Sequence, residues 1–184
     1  HGTWPVAVDF QRSVDLRKHS LARALRPPGT EGCRVEVVHD GPIDHRSRLR
    51  TLIDGIRCSP DFRIGGWLGF EKVNLEAIID LRQVKPVSTF GAGFFQDNNA
   101  WIFFPSKIEF FVSDNGIDYR SAGVIKNEVP AEKEGGILTT FEMQVNPINA
   151  RFVKMVATNI GVCPPGHNGN GGAAWMFSDE IIVK

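Results

Sequence analysis

Lys107-Ile108-Glu109-Phe110-Phe111-Val112-Ser113-Asp114-Asn115-Gly116, running on as IDYRSAGVIK to residue 126, is the stretch on which the fold turns. Ile108, Phe110 and Val112 fall on one side of an extended chain and Lys107 and Glu109 on the other, the period of two that a half-buried strand requires. Asn115-Gly116 supplies the positive φ angles of a tight hairpin turn, so a second strand antiparallel to the first is expected at 118–126. Outward from this hairpin the same punctuation recurs. Apolar or alternating runs at 4–10, 33–38, 76–81, 87–95, 137–145, 151–158 and 177–183 are separated by Gly, Pro, Asn and Asp. Such closely spaced strands without helical patterns between them predict an all-β antiparallel sandwich and argue against a βαβ fold. At 14–25, Val14, Leu21 and Leu25 recur near the helical period, but Pro27-Pro28 stops a helix there, and a strand through 13–17 fits equally.

With 184 residues the chain can bury a full core without staples. Its 21 basic and 21 acidic residues cancel, which removes the field that gathers a polyanion; nucleic acid and membrane surface are therefore not expected partners. No apolar run approaches the roughly 20 residues of a membrane span. No signal peptide opens the chain, so an export signal, if there is one, is expected upstream. Cys33, Cys58 and Cys163 are odd in number and share no short spacing, which leaves open both buried thiols and one bridge with a free thiol. The Pro-, Gly-, Arg- and Asp-rich segment 26–50 reads as a connection, with a boundary near residue 45 between an N-terminal piece (1–45) and the sandwich (46–184).

Leu52-Ile53-Asp54-Gly55-Ile56-Arg57, then Gly66-Trp67-Leu68-Gly69-Phe70, then Leu75-Glu76-Ala77-Ile78-Ile79-Asp80-Leu81 resemble the opening of a discoidin-like (F5/8 type C) domain. Such domains carry L-x-D-G, a tryptophan and a strand ending in D-L-G. The likeness continues through Phe94-Phe95-Gln96-Asp97, Trp101-Ile102-Phe103-Phe104-Pro105, Val112-Ser113-Asp114-Asn115-Gly116 and Arg151-Phe152-Val153-Lys154. It closes with Gly161-Val162-Cys163-Pro164-Pro165-Gly166-His167 and Ala174-Trp175-Met176-Phe177-Ser178-Asp179-Glu180-Ile181. This set is similar to the C-terminal module of Bacteroidetes family 20 glycoside hydrolases, the chitobiases or β-N-acetylhexosaminidases. Arg82 stands where the family carries glycine after D-L, and Gly166 stands where relatives often carry an aromatic.

The resemblance implies a galactose-binding-domain-like antiparallel β-sandwich, or jelly roll. It implies a non-catalytic, family 32-like carbohydrate-binding module of a secreted, periplasmic or outer-membrane-associated bacterial hydrolase. Residues 2–25 would be the last strands of a preceding immunoglobulin-like domain. The expected partners are a glycan with galactose or N-acetylhexosamine termini and the catalytic domain of the parent enzyme. The alternative is a structural domain that packs on the catalytic barrel and binds no sugar, and a protein-adhesion module is a third reading.

Discoidin-like sugar modules bind at the loops of one end, where an aromatic face meets the C–H side of a pyranose and planar polar groups meet its hydroxyls. The candidates are Trp67 and Phe70 in one loop, Gln96, Asp97, Asn98, Asn99 and Trp101 in a second, and His167, Asn168, Asn170 and Trp175 in a third. Trp67 and Trp175 suit buried core or loop anchors better than a sugar platform, Trp101 suits either, and His167 and the asparagines suit turn chemistry as well as binding. The resemblance also implies a structural Ca²⁺ held by Asp54 and Glu180 with backbone carbonyls near Ile53 and Arg57. Against it stands a turn-capping Asp54 with a solvent-facing Glu180.

Catalytic patterns are weak. Asp179 and Glu180 are adjacent in a strand and should face opposite ways, which rules out an acid–base pair. Cys163 and His167 give at most two metal ligands, where zinc takes three or four. Gly91-Ala92-Gly93 and Gly169-Asn170-Gly171-Gly172 lack the helix that a phosphate cradle needs. Arg46, Arg48 and Arg50 are balanced by Asp40 and Asp44.

Overall fold

The computed structural model describes residues 34–38, 49–64 and 66–184. The expected strand at 4–10, the segment 14–25, Cys33 and the boundary near residue 45 lie outside them. The described residues form β1 (Arg34–Val38), β2 (Leu68–Glu71), β3 (Leu75–Gln96), β4 (Lys107–Ser113), β5 (Arg120–Lys126), β6 (Ile137–Thr158) and β7 (Trp175–Val183). Helix among them is limited to short 3₁₀ turns. Every strand pair is antiparallel.

β4 has the bounds the alternation requires, with Ile108, Phe110 and Val112 buried. It pairs with β5 from Lys107↔Lys126 inward, as the hairpin demands. The connection is longer than a two-residue turn. Gly116 takes a φ of 75°, while Asn115 works through its side chain: Oδ1 accepts the N–H groups of Ile117 and Asp118 at 2.9 Å each. An asparagine that can fold its own neighbours does not need a left-handed backbone.

Two strands make the two layers. β3 and β6 pair from Leu75↔Ala157 to Gln96↔Ile137, with register shifts between Asp80 and Lys85 and again between Val87 and Thr89. At that bend both strands pass from one layer to the other. The first half of β3 lies between β1 and β6, and β6 continues to β4 and β5; the second half of β3 lies between β6 and β7, and β7 continues to β2. The alternation pattern divides each long strand in two because Arg82-Gln83 and Pro147 interrupt it, whereas the backbone bends there and stays paired. Arg82 carries the bend at φ 71°, donating its N–H to Asp80 Oδ1 at 2.8 Å. That left-handed position is where the resembling family carries glycine, for the reason that glycine has no Cβ to strain.

The core fills the space between layers. Phe90, Phe94, Phe104, Phe110, Ile79 and Met155 are fully buried, and the Phe90 and Phe110 rings lie 5.5 Å apart. Each such side chain contributes about 1.5–3 kcal/mol by leaving water. β2 is a strand that the sequence pattern hides behind its glycines. Gly69 is there because a Cβ would sit 2.8 Å from the Phe177 ring. Connections 72–74, 97–106, 127–136 and 159–174 all emerge at one end, where Gln96, Ile137 and Trp175 close the second layer and Lys107 and Thr158 the first.

Candidate functional site

Gln96 ends β3 facing inward and ties two of these loops together. Its Nε2 donates to the Pro130 carbonyl at 3.0 Å and its Oε1 accepts the Phe104 N–H at 3.2 Å. Asp97 caps the 3₁₀ turn Asn98–Ala100, with Oδ1 accepting the Asn99 N–H at 3.1 Å. Asn98 donates from Nδ2 to the Ala131 carbonyl at 2.8 Å. Trp101 then turns left-handed at φ 63°, which throws its indole across the third loop.

That loop is built to receive it. Gly169 and Gly172 lie on the indole so closely that a Cβ would fall 2.4 Å from Trp101 Cζ2 and 2.6 Å from Cζ3 respectively. His167 stands edge-on to Trp101 and Phe103, at 6.1 and 5.4 Å between ring centres. Its Nδ1 accepts the Gly169 N–H at 2.9 Å, and an amide can only donate; Nε2 therefore carries the ring proton and gives it to the Asn98 carbonyl at 2.9 Å. Asn99, Asn168 and Asn170 are exposed around this group. Trp175 adjoins it through backbone bonds to Trp101 and Phe103, half-buried and edge-on to Phe177.

The structure thus brings Asn98, Trp101, His167, Asn168 and Asn170 together, with Asp97 and Trp175 beside them. Three other candidates have no surface to offer. Trp67 is buried in a cluster with Cys58, Phe95, Ile102 and Phe177, its Nε1 donating to the Ser59 carbonyl at 3.1 Å. Phe70 points from β2 into the main core, and Gln96 is enclosed by the bonds just described. Loop 127–136, which Gln96 and Asn98 hold against the rim, had no motif in the sequence to mark it.

The two carboxylates of β7 depart from expectation. A bulge opposite Gly93 and Phe94 leaves Asp179 as the extra residue, so that it and Glu180 both turn toward 54–58. Asp179 Oδ2 accepts the Cys58 N–H at 2.8 Å and Arg57 Nε at 3.1 Å; Glu180 Oε2 accepts the Gly55 N–H at 2.9 Å. Both residues are buried, and neither Asp179 Oδ1 nor Glu180 Oε1 has a hydrogen-bond partner. Burial pushes the Asp179 carboxyl above its ordinary range. Burial, helped by the charge of Asp54, pushes Glu180 up to about 8. Glu180 is therefore not a solvent-facing residue, while Asp54 does cap its turn, accepting the Ile56 N–H at 2.9 Å. Among the described residues no three His, Cys, Asp or Glu side chains converge as a metal site. Cys58 and Cys163 are buried, and burial raises the Cys163 thiol.

No protein-family model matches the chain, and no curated protein matches it. Solved structures do. CpGH89CBM32-5 from Clostridium perfringens, in complex with GalNAc-β-1,3-galactose, superposes with a TM-score of 0.51 at 18% identity, over 84% of this chain and 96% of that one. The family 32 carbohydrate-binding module of C. perfringens NanJ, in complex with galactose, gives a TM-score of 0.49 at 15% identity over 84% and 95%. A Bacteroides thetaiotaomicron fragment described as a candidate chitobiase gives 0.42 at 14% identity over 61% and 60%. Identities this low speak of the fold alone. The chain has a discoidin-like antiparallel β-sandwich fold.

Proposed function

We propose that this discoidin-like sandwich is a non-catalytic carbohydrate-binding module whose ligand meets the loop end at Trp101. The observation that carries the reading is the half-buried indole, pinned by Asn98, His167 and the two glycines and ringed by the exposed amides of Asn99, Asn168 and Asn170. A pinned aromatic edge with exposed amides around it suits a small sugar, whose C–H face needs an apolar contact and whose hydroxyls need replacement hydrogen bonds. The fold's likeness to a module solved with GalNAc-β-1,3-galactose points to galactose or N-acetylhexosamine ends.

Calorimetric titration with galactose, N-acetylgalactosamine and N-acetylglucosamine tests this. Binding should weaken at least tenfold in Trp101→Ala, or about 1.4 kcal/mol, and less in Asn168→Ala or Asn170→Ala. Silence of the folded protein toward all three sugars and a wider glycan array would overturn it. In that event docking on a neighbouring catalytic domain becomes the better reading. The motif set argues further for a place at the C-terminal end of an exported β-N-acetylhexosaminidase, where a sugar-binding module raises the local concentration of substrate. Deleting the module from that enzyme should then lower activity on glycans and spare small soluble substrates. Among the described residues no helix is long and apolar enough to cross a membrane.

We also propose that Asp54 and Glu180 hold a structural Ca²⁺. The fit rests on Glu180 Oε1, a buried carboxylate oxygen with no donor, close enough to a second carboxylate, Asp54, to feel its charge. A hard cation satisfies such a set and lets Glu180 ionise. Thermal melting near pH 8 should rise with added Ca²⁺, fall back with excess chelator, and lose its response in Glu180→Gln.

A further inference from the structure

The chain holds three Asn-Gly pairs, Asn115-Gly116, Asn168-Gly169 and Asn170-Gly171. In such a pair the glycine amide nitrogen can attack the asparagine side chain unhindered, and the limiting need is to remove its proton. The three amides are held differently. Gly116 N–H donates to Ser113 Oγ at 3.0 Å, and the Asn115 side chain is itself tied, its Nδ2 donating to Asp118 Oδ2 at 2.8 Å. Gly171 N–H donates to the Cys163 carbonyl at 3.1 Å, which takes no proton. Gly169 N–H donates to His167 Nδ1 at 2.9 Å, and Asn168 is exposed.

We infer that Asn168 is a self-modification site, converting to aspartate and isoaspartate with His167 as the base. The arrangement has the parts of general-base catalysis: an imidazole lone pair within hydrogen-bond reach of the proton to be taken, and a third group that orients the ring. The Asn98 carbonyl is that third group. It holds Nε2–H at 2.9 Å and stabilises the imidazolium that forms. His167 Nδ1 takes the Gly169 amide proton as the nitrogen attacks Asn168 Cγ. The new C–N bond closes a succinimide, the Cγ–Nδ2 bond breaks, and ammonia leaves with the proton that His167 returns. Water adds to either ring carbonyl and opens it to aspartate or isoaspartate. One water is consumed and one ammonia released, with no change of oxidation state. The product sets a new carboxylate on the loop that packs against Trp101.

The test follows all three sites by peptide mapping and mass spectrometry, incubating the whole chain in ¹⁸O-water at constant temperature, folded and in denaturant. In the folded protein Asn168 should convert roughly ten- to a hundredfold faster than Asn170 and Asn115, a modest general-base contribution. It should also convert faster folded than unfolded, while the other two reverse that order. His167→Gln, with cooperative melting retained, should bring Asn168 down to the rate of Asn170. An Asn168 that converts more slowly in the folded chain than in denaturant overturns the inference, as does a folded His167→Gln that converts at the unchanged rate. The folded-against-unfolded comparison needs no variant and decides the matter if His167→Gln does not fold.

Discussion

The bend of the long strands and the underside of the loop end each hold an aspartate against an arginine, and the two pairs behave oppositely. Arg151 and Arg57 are equally exposed, 41% and 40%, whereas Asp80 is 18% exposed and Asp179 not at all. At the bend, Arg151 grips both oxygens of Asp80, Nε to Oδ1 at 3.0 Å and Nη2 to Oδ2 at 3.1 Å, and the Arg82 N–H adds a third bond. The Arg151 hydrogen bonds, against a smaller burial effect, hold Asp80 below the usual carboxylate range. Under the loop end, Arg57 and Cys58 both serve one oxygen of Asp179 and the other has no donor. There burial outweighs the arginine and the carboxyl is driven up. A cationic neighbour does not by itself settle a carboxylate; the solvation or bonding of both oxygens does.

The contrast predicts opposite pH dependences, and that is its largest expected effect. Glu180 and Asp179 are raised, so in chelator the fold keeps their full contribution below the ordinary carboxylate range and loses it as pH rises. For Glu180 the loss runs from 4.5 to about 8 and amounts to at most ~4–5 kcal/mol. Asp80 is lowered, so its contribution is present at neutral pH and disappears as the solution is acidified below the ordinary aspartate value. Urea unfolding across pH, with Glu180→Gln and Asp80→Asn as controls, separates the two slopes; a flat profile from pH 5 to 8 would dissolve the comparison.

Gly93→Ala should come next. Its Cβ would sit within 2.6 Å of Arg57 Nη2 and closer still to Oδ1 of Asp179, whose side chain is fully buried. A loss of about 3 kcal/mol or more in denaturant unfolding is expected. Arg57→Ala leaves a buried carboxyl with only Cys58, and should cost about 2 kcal/mol, below the full value of an enclosed pair because Arg57 is partly in water. Asp80→Asn in the same assay should cost less than about 1 kcal/mol; equal costs would mean that burial is not what separates the pairs. The smallest effect is a gain. Arg82→Gly relieves a left-handed arginine at the bend and should stabilise by about 0.5–1 kcal/mol.

Much of the fold was legible because alternation is local. Ile108, Phe110 and Val112 announce β4, and the apolar runs at 87–95 and 177–183 announce the strands that carry Phe90, Phe94 and Ile181. What the pattern divided was β3 and β6, since a break in alternation looks the same whether a strand ends or changes layer. β2 escaped notice because Gly66 and Gly69 imitate a loop. For the candidate site, the sequence singled out the loops at 96–101 and 167–175, which the fold brings side by side, and could not sort their residues. Gln96 and Asn98 are both amides near one strand end, yet Gln96 is sealed between Pro130 and Phe104 while Asn98 helps hold the rim. Trp67 and Trp101 are equally aromatic, and only packing makes one a core residue and the other a half-exposed edge.

Residue order alone, through the two-residue period of its apolar side chains and the placing of its glycines and asparagines, determined that this protein is a set of antiparallel strands joined by polar, glycine-rich loops. Tertiary structure decided which of those loop residues meet solvent, how the bulge at Asp179 turns two neighbouring acids the same way, and which Asn-Gly pair faces an imidazole. Those outcomes depend on contacts between segments as much as 125 residues apart, such as Gly55 with Glu180, and no local pattern encodes the distance between such partners.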